Sequence, residues 1–283
     1  MPSTKRLYYF VKQANFGDLL NESIFKKLAD IEVQSSKPKD CEVVAIGSLL
    51  ESFLASPRQI KKFILNRFKP RVLVWGTGFI KEESERQFFF RRLDVRAVRG
   101  YYTLERLKKS NAALLANEVA VADPGLLASL LIDTSLVKKK YALGIIPHYV
   151  DVNSPLLNRI SVKNSVVLDI TQRPEVLLKQ IAECENIISS AMHGLIVADS
   201  LGIPNVRMIL GDEITGGNYK FNDYYSAFNI SNHNVINLKE RSFTNDDLQS
   251  ITQNYTITRE QVKTLQSSLL KSFPYIENDS SIS

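Results

Sequence analysis

The chain has 283 residues, 44% of them hydrophobic, with 36 lysines and arginines against 30 acidic side chains and a formal charge of +6. That length and apolar content suit one large folded domain or two ordinary ones, and they exclude a disordered, collagen-like or disulfide-stapled chain. No stretch approaches the roughly 20 apolar residues that cross a bilayer, and the run Leu7–Val11 is too short for the core of a secretory leader.

The expectation is therefore a cytoplasmic protein, neither secreted nor integral to a membrane. Cys41 and Cys184 stand far apart beside apolar segments, with no second cysteine or histidine at metal-ligand spacing, so they read as buried structural thiols in a reducing compartment. The positive balance concentrates anions without naming one. The basic helix or interleaved basic and aromatic motifs of a nucleic-acid reader are not evident, and the reading leads away from nucleic acid.

In chain order, short apolar runs alternate with helical patterns, the signature of parallel β-α-β units. Strands are predicted at Leu7–Val11, Val43–Ile46, Val72–Trp75, Val95–Val98 and Val119–Ala122, each followed by a Gly- or Asp-containing turn and a helix. Periodicity lapses from Asp133 to Lys140, with three consecutive lysines, which marks a linker between an N-terminal half, 1–137, and a C-terminal half, 138–283. The pattern restarts with strands at Tyr141–Ile146, Ser165–Ile170, Asn186–Ser190 and Asn205–Leu210, and with helices at Glu175–Cys184 and His193–Leu201. Thr258 with Gln261 three residues on forms a capping box, opening a last helix through Leu270 that is placed across both halves. The fold class is α/β: two Rossmann-like halves facing a cleft, resembling the glycosyltransferase-B architecture.

Ligands of open α/β sheets collect outside the carboxyl ends of the strands, so the turns there are where chemistry is expected. Asn15-Phe16-Gly17-Asp18 opens the helix Leu19–Leu28. Asp18 could orient or deprotonate a sugar hydroxyl, or serve as the helix N-cap. Gly76-Thr77-Gly78 lacks the third glycine of a dinucleotide fingerprint, and its glycines permit close approach of a ligand or of the other half. Arg96 and Arg99, three apart on one strand, point to opposite faces; Arg99, at the strand end, is the better candidate for reaching the cleft, with a surface salt bridge as the alternative. Pro147-His148-Tyr149 ends the first strand of the second half.

Ser189 and Ser190 end another strand, and His193-Gly194 then opens a helix whose first N–H groups and dipole favour an anion. Capping serines and a packed histidine are the plainer alternative. Two of the three histidines, His148 and His193, thus sit at strand-to-helix turns of one half, where acid–base or phosphate work is expected. His233, in an Asn-rich loop, is expected to be solvated. The stretch Gly211–Tyr225, with Gly216-Gly217 and Lys220, reads either as a lid that closes over substrates or as a plain surface loop. Phe88-Phe89-Phe90-Arg91-Arg92, with Lys61, Lys62 and Arg67, would suit an anionic bilayer if exposed; helix core is the preferred reading for the phenylalanines.

Residues 187–204 read Ile-Ile-Ser-Ser-Ala-Met-His-Gly-Leu-Ile-Val-Ala-Asp-Ser-Leu-Gly-Ile-Pro. This is similar to the Ser-Ser-x-x-His-Gly-Leu-x-x-x-x-Ser/Ala-x-Gly-x-Pro stretch of the polysaccharide pyruvyl transferase family. Further landmarks follow that family's order: Asn15–Asp18, Trp75–Phe79, Val98-Arg99-Gly100, Ala122-Asp123-Pro124-Gly125, Ile146–Tyr149 and Lys220–Tyr225. Together they span residues 8 to 228. One position departs: Ala191 stands where some members carry an arginine, so another cation must hold the donor's charge here.

The resemblance implies transfer of the enolpyruvyl unit of phosphoenolpyruvate to a sugar, leaving a pyruvate ketal and phosphate. Phosphoenolpyruvate is then a donor substrate, with no metal or other cofactor. The first half is the acceptor side and the second the donor side. His193 or His148 is the expected acid and Asp18 the acceptor-side base. Ser189, Ser190, Gly194, Arg99 and Lys220 are expected on the donor, and Asn15, Gly17, Gly76, Thr77 and Gly78 on the substrate-facing turns. The acceptor is a free sugar or a lipid-linked oligosaccharide, which leaves open peripheral association with the inner face of the cell membrane. Two other functions share the architecture, a nucleotide-sugar glycosyltransferase and a non-catalytic module of polysaccharide assembly.

Overall fold

A computed structural model describes residues 3–10, 16–66, 68–84, 88–111, 115–211 and 217–276. The first half builds a six-stranded sheet from β1 (Thr4–Tyr8), β2 (Glu32–Ser35), β3 (Val43–Val44), β4 (Val72–Trp75), β5 (Leu93–Val98) and β6 (Leu115–Val121), in the order β2-β1-β3-β4-β5-β6. The second half builds a five-stranded sheet from β7 (Tyr141–Ile146), β8 (Ser165–Val167), β9 (Cys184–Ser189), β10 (Asn205–Ile209) and β11 (Val235–Asn237), in the order β8-β7-β9-β10-β11. Every pairing in both sheets is parallel.

Central strands such as Val72-Leu73-Val74-Trp75 are buried at every position. Continuous apolar runs of this kind suit sheets covered on both faces by helices. In each half the second strand lies outside the first and the third lies inside it, so the winding direction reverses between the first and third strands. That reversal opens a crevice at the carboxyl ends, the place where such sheets take ligands.

Helix α1 (Phe16–Ala29) follows β1 and rests against the second half, its Phe16 N–H donating to Ile170 O (3.0 Å) and Ser23 Oγ to Glu175 (3.1 Å). Three helices follow in the chain: α2 (Ile60–Asn66), α3 (Tyr101–Asn111) and α4 (Pro174–Ala182). After β9 comes α5 (Met192–Ser200), which is buried on nearly every side. One apolar core runs through both halves, joining Leu7, Phe25 and Trp75 to Ile187, Leu195 and Phe228.

The C-terminal helices are α7 (Leu248–Asn254) and α8 (Arg259–Ser272). The capping box at Thr258 and Gln261 is formed. Helix α8 lies on the first half: Trp75 Nε1 donates to Leu269 O (3.2 Å) and Ser272 Oγ (3.1 Å), while Phe273 packs on Trp75 and Phe25. Its start lies beside Gly202 of the second half, through Arg259. A burial of this kind stabilises by about 1.5–3 kcal/mol per large apolar side chain, and here it ties the chain's end to its beginning.

Three expectations change. The stretch expected as a lid or loop carries helix α6 (Tyr219–Ser226), in which Phe221, Asp223 and Tyr224 are buried; residues 212–216 lie outside the described residues. His233 is not solvated: its ring stacks on Tyr225 at 4.4 Å, Nε2 is sealed without a partner, and burial pushes it down to about 4. Strands β2 and β11 were not predicted, since each is a short, partly exposed edge strand. Phe89 and Phe90 are core, as preferred, but not on a helix: Phe88–Phe89 form a short strand paired antiparallel with Leu54–Ala55. Cys41 and Cys184 are both buried, and burial pushes each thiol up to about 12.

Candidate active site at the facing switch points

The crevices of the two sheets face each other and form one cleft of about 370 Å³. From the first half, Tyr8 ends β1, Phe10 and Asp18 follow it, and Gly47, Ser48 and Glu51 follow β3. From the second half, His148 and Tyr149 follow β7, Ala191 and His193 follow β9, and Lys220 comes from α6. Strands β7 and β9 are hydrogen-bonded neighbours, which is why the turns bearing His148 and His193 lie side by side.

The N-cap of α5, Ala191, contributes no side-chain hydrogen bond. His193, in the first turn, reaches across to the other half: its imidazole fills the space where a β-carbon on Gly17 would stand. Its Nε2 is buried with no hydrogen-bond partner. Burial first, then Arg99, Lys220 and His148, push His193 down to about 3. Burial and Lys220 push His148 down to about 4. Both imidazoles are neutral at neutral pH.

Lys220 is nine per cent exposed and, among the described residues, has no hydrogen-bond or ion-pair partner. Burial, Arg99 and Arg207 push its ammonium down to about 8, opposed by Asp151. It lines the same cleft as Ala191.

Asp18 is not an N-cap, because α1 begins two residues before it. Its Oδ1 accepts the Phe10 N–H (3.2 Å), and burial pushes the carboxyl up to about 7. An acid poised near neutrality, a buried cation and two neutral imidazoles thus share one crevice. Such a set can hold an anion and move protons.

Other expected residues lie behind the cleft. Arg99 was expected to reach it, but is fully buried between the halves. Its guanidinium donates to Asp223 (2.8 Å), Ser48 Oγ and Phe79 O, and Asp223 also accepts the Thr103 N–H and hydroxyl (both 2.8 Å). Its charge still acts on His193 and Lys220. Arg96 points the other way, exposed and paired with Asp94.

Gly76, Thr77 and Gly78 also lie in the packing between elements. Thr77 Oγ1 donates to Gly47 O (2.7 Å), Gly76 (φ 86°) lies under Pro124, and Gly78 packs on Arg99. Ser189 Oγ bonds the backbone of Ile146 and Ala191, and Gly194 packs against that hydroxyl, its N–H donating to Ala191 O (3.1 Å). Ser190 Oγ accepts the His148 N–H (2.8 Å) and donates to Asp151 (2.6 Å), so it fixes the His148 turn. Asn15 and Arg67 lie outside the described residues.

Sequence reasoning missed Tyr8, Ser48, Ser52 and Asp151, whose proximity is created by the fold. Asp123 and Asp223 stood inside quoted landmarks, and their burial alone was the missing signal. Asp123 caps the turn to Gly125 (2.8 Å), its Oδ2 has no partner, and burial pushes it up to about 6.

The sequence signature of polysaccharide pyruvyl transferases matches residues 3–210. The chain belongs to the polysaccharide pyruvyl transferase family. A relative in Acanthamoeba polyphaga mimivirus, the uncharacterized protein L143, is 31% identical over 229 residues, covering 79% of this chain and 74% of that protein. The succinoglycan biosynthesis protein ExoV of Rhizobium meliloti is 24% identical over 230 residues, covering 80% of this chain and 66% of ExoV. The crystal structure of WaaG, a glycosyltransferase involved in lipopolysaccharide biosynthesis, aligns over 96% of this chain and 94% of its own at 12% identity, with a TM-score of 0.34, a likeness too slight to build on. Membership of the pyruvyl transferase family makes the chain a transferase of polysaccharide biosynthesis. No described helix is long and apolar enough to cross a membrane.

Proposed function

We propose that the chain transfers the enolpyruvyl unit of phosphoenolpyruvate to two hydroxyls of one sugar of a surface polysaccharide, yielding a pyruvate ketal and inorganic phosphate. The observation that carries this reading is the pairing, across one cleft, of the buried ammonium of Lys220 and Asp18 poised near pH 7.

The chemistry sets what the residues must do. A proton adds to the methylene carbon of the donor, turning it into a methyl group, and the carbon bearing the phosphate becomes electrophilic. One sugar hydroxyl attacks that carbon and gives up its proton. The second hydroxyl then displaces phosphate, which leaves with the second proton, so the two protons lost by the diol appear in the methyl group and in phosphate.

Lys220 and the first turn of α5 hold the donor's negative charge. A doubly charged phosphate beside His193 and His148 opposes the repulsion from Lys220 and Arg99, raising both imidazoles towards the range where one can serve as acid. Asp18, on the first-half wall, takes the proton of the attacking hydroxyl. Tyr8 and Ser52, joined by a 2.9 Å hydrogen bond on that wall, face the acceptor.

Thermal unfolding tests the donor. Phosphoenolpyruvate is expected to raise the melting temperature in a concentration-dependent way while nucleotide sugars do not. Stabilisation by a nucleotide sugar alone contradicts the proposal.

A further inference from the structure

Residues 56–71 carry Arg58, Lys61, Lys62, Arg67, Lys69 and Arg71 and no acidic side chain. Six positive charges equal the formal +6 of the whole chain, so the remainder is electrically balanced. The same segment exposes Ile64 by 54%, Leu65 by 77% and Phe68 by 83%. Large apolar side chains projecting together from a folded surface mark a place where something docks.

The surroundings add to both properties. Arg58, Lys61 and Arg71 are exposed, as are Lys37 and Lys39 on the neighbouring loop. The nearby carboxylate, Asp40, is engaged by Lys69 (3.0 Å) and Lys39 (3.9 Å). Beside Leu65, a groove of about 430 Å³ runs between Lys37, Lys39, Ser52, Leu54 and Phe90. Ser52 lines both this groove and the substrate cleft, so the apolar, basic face adjoins the cleft mouth on the acceptor side.

We propose that this face docks on an anionic lipid bilayer, with Leu65 and Phe68 entering the boundary between headgroups and acyl chains and Arg58, Lys61 and Arg71 lying over the lipid phosphates. A polyanion such as RNA satisfies the cations alone. An anionic bilayer offers both phosphates for the cations and an apolar layer for Ile64, Leu65 and Phe68. Docking of this kind places the cleft mouth at the membrane surface, where a lipid-linked sugar is presented. That purpose rests on the pyruvyl-transfer reading; the docking itself does not.

The full chain is mixed with phosphatidylcholine vesicles, or with vesicles in which a third of the lipid is phosphatidylglycerol, and the floated fraction is measured with no donor present. The wild-type chain is expected to float with the anionic vesicles, to be released by salt, and to stay behind with the neutral ones. Leu65→Glu/Phe68→Glu and Arg58→Glu/Lys61→Glu are each expected to weaken binding by about tenfold or more. Leu65→Trp/Phe68→Trp is expected to float as the wild type does. The substituted side chains are exposed, and unchanged melting temperatures check that the variants are folded.

The proposal is overturned if the wild type floats with neither vesicle or equally with both, or if the glutamate variants float unimpaired. It is also overturned if the chain binds an RNA oligonucleotide that anionic vesicles fail to displace. Failure here leaves the chemistry of the cleft standing, because no turnover is measured. Vesicle binding by a chain that, in a separate assay with phosphoenolpyruvate and a sugar acceptor, releases no phosphate would sink the chemistry alone.

Discussion

The imidazole of His193 rests where a β-carbon of Gly17 would lie, so a glycine of the first half forms the floor for a histidine of the second. The two residues are 176 positions apart in the chain, and both belong to the turns opened by the winding reversals of their sheets.

Gly17→Ala is therefore expected to displace the His193 ring, lowering stability by about 1–3 kcal/mol and lowering turnover. In a His193→Ala background the same change is expected to be nearly neutral for stability. A double-mutant cycle by thermal unfolding measures the coupling; equal penalties in both backgrounds would mean that the close approach is not the cause.

His193→Gln and His148→Gln preserve size while removing the imidazole. Each is expected to reduce kcat by about 10²–10⁴-fold, read as phosphate release from phosphoenolpyruvate with a sugar acceptor. Unchanged turnover in either variant removes that histidine from the chemistry.

The Arg99–Asp223 pair is fully buried and joins β5 of the first half to α6 of the second. Asp223→Asn leaves Arg99 without its counter-charge and is expected to cost about 3–5 kcal/mol. Replacing both partners, as in Arg99→Met/Asp223→Leu, is expected to recover part of that loss. A double variant no more stable than Asp223→Asn would show that the uncompensated charge is not what destabilises.

Asp18 gives the pH dependence a sign. Burial raises its carboxyl from 3.8 to about 7, so folding takes up a proton between those values. Its stabilising contribution is complete below about pH 3.8 and is lost as the pH rises through about 7. Asp18→Asn is accordingly expected to gain stability over the wild type between about pH 4 and pH 8. His193 and His148 act oppositely: their values are lowered, so their contribution is lost as the pH falls from about 6.5 towards the folded values. As a base, Asp18 also requires kcat/KM to rise with pH through about 7, a limb absent from the residual activity of Asp18→Asn. Persistence of that limb in the variant assigns it to another group.

Much of this was legible in the sequence. The apolar runs at Val72–Trp75 and Tyr141–Ile146 gave their strands because buried parallel strands need no alternation, and His148 and His193 could be placed in one pocket from their turns alone. Edge strands such as Glu32–Ser35 escaped because a partly exposed strand lacks that apolar run. Arg99 and Thr77 escaped for another reason. A cation at a strand end looks the same in sequence whether it meets a ligand or a carboxylate 124 residues away, and only the packing of α6 onto Gly100 shows which.

The most direct test follows the reaction's products. The chain is incubated with phosphoenolpyruvate and a small panel of hexosides, and the sugars are analysed by mass spectrometry while phosphate is counted. The expected result is one hexoside gaining the mass of pyruvate less one water, with one phosphate released per ketal and neither product formed by His193→Ala. Phosphate release without a sugar adduct, or a glycosyl product formed from a nucleotide sugar instead, would contradict the account.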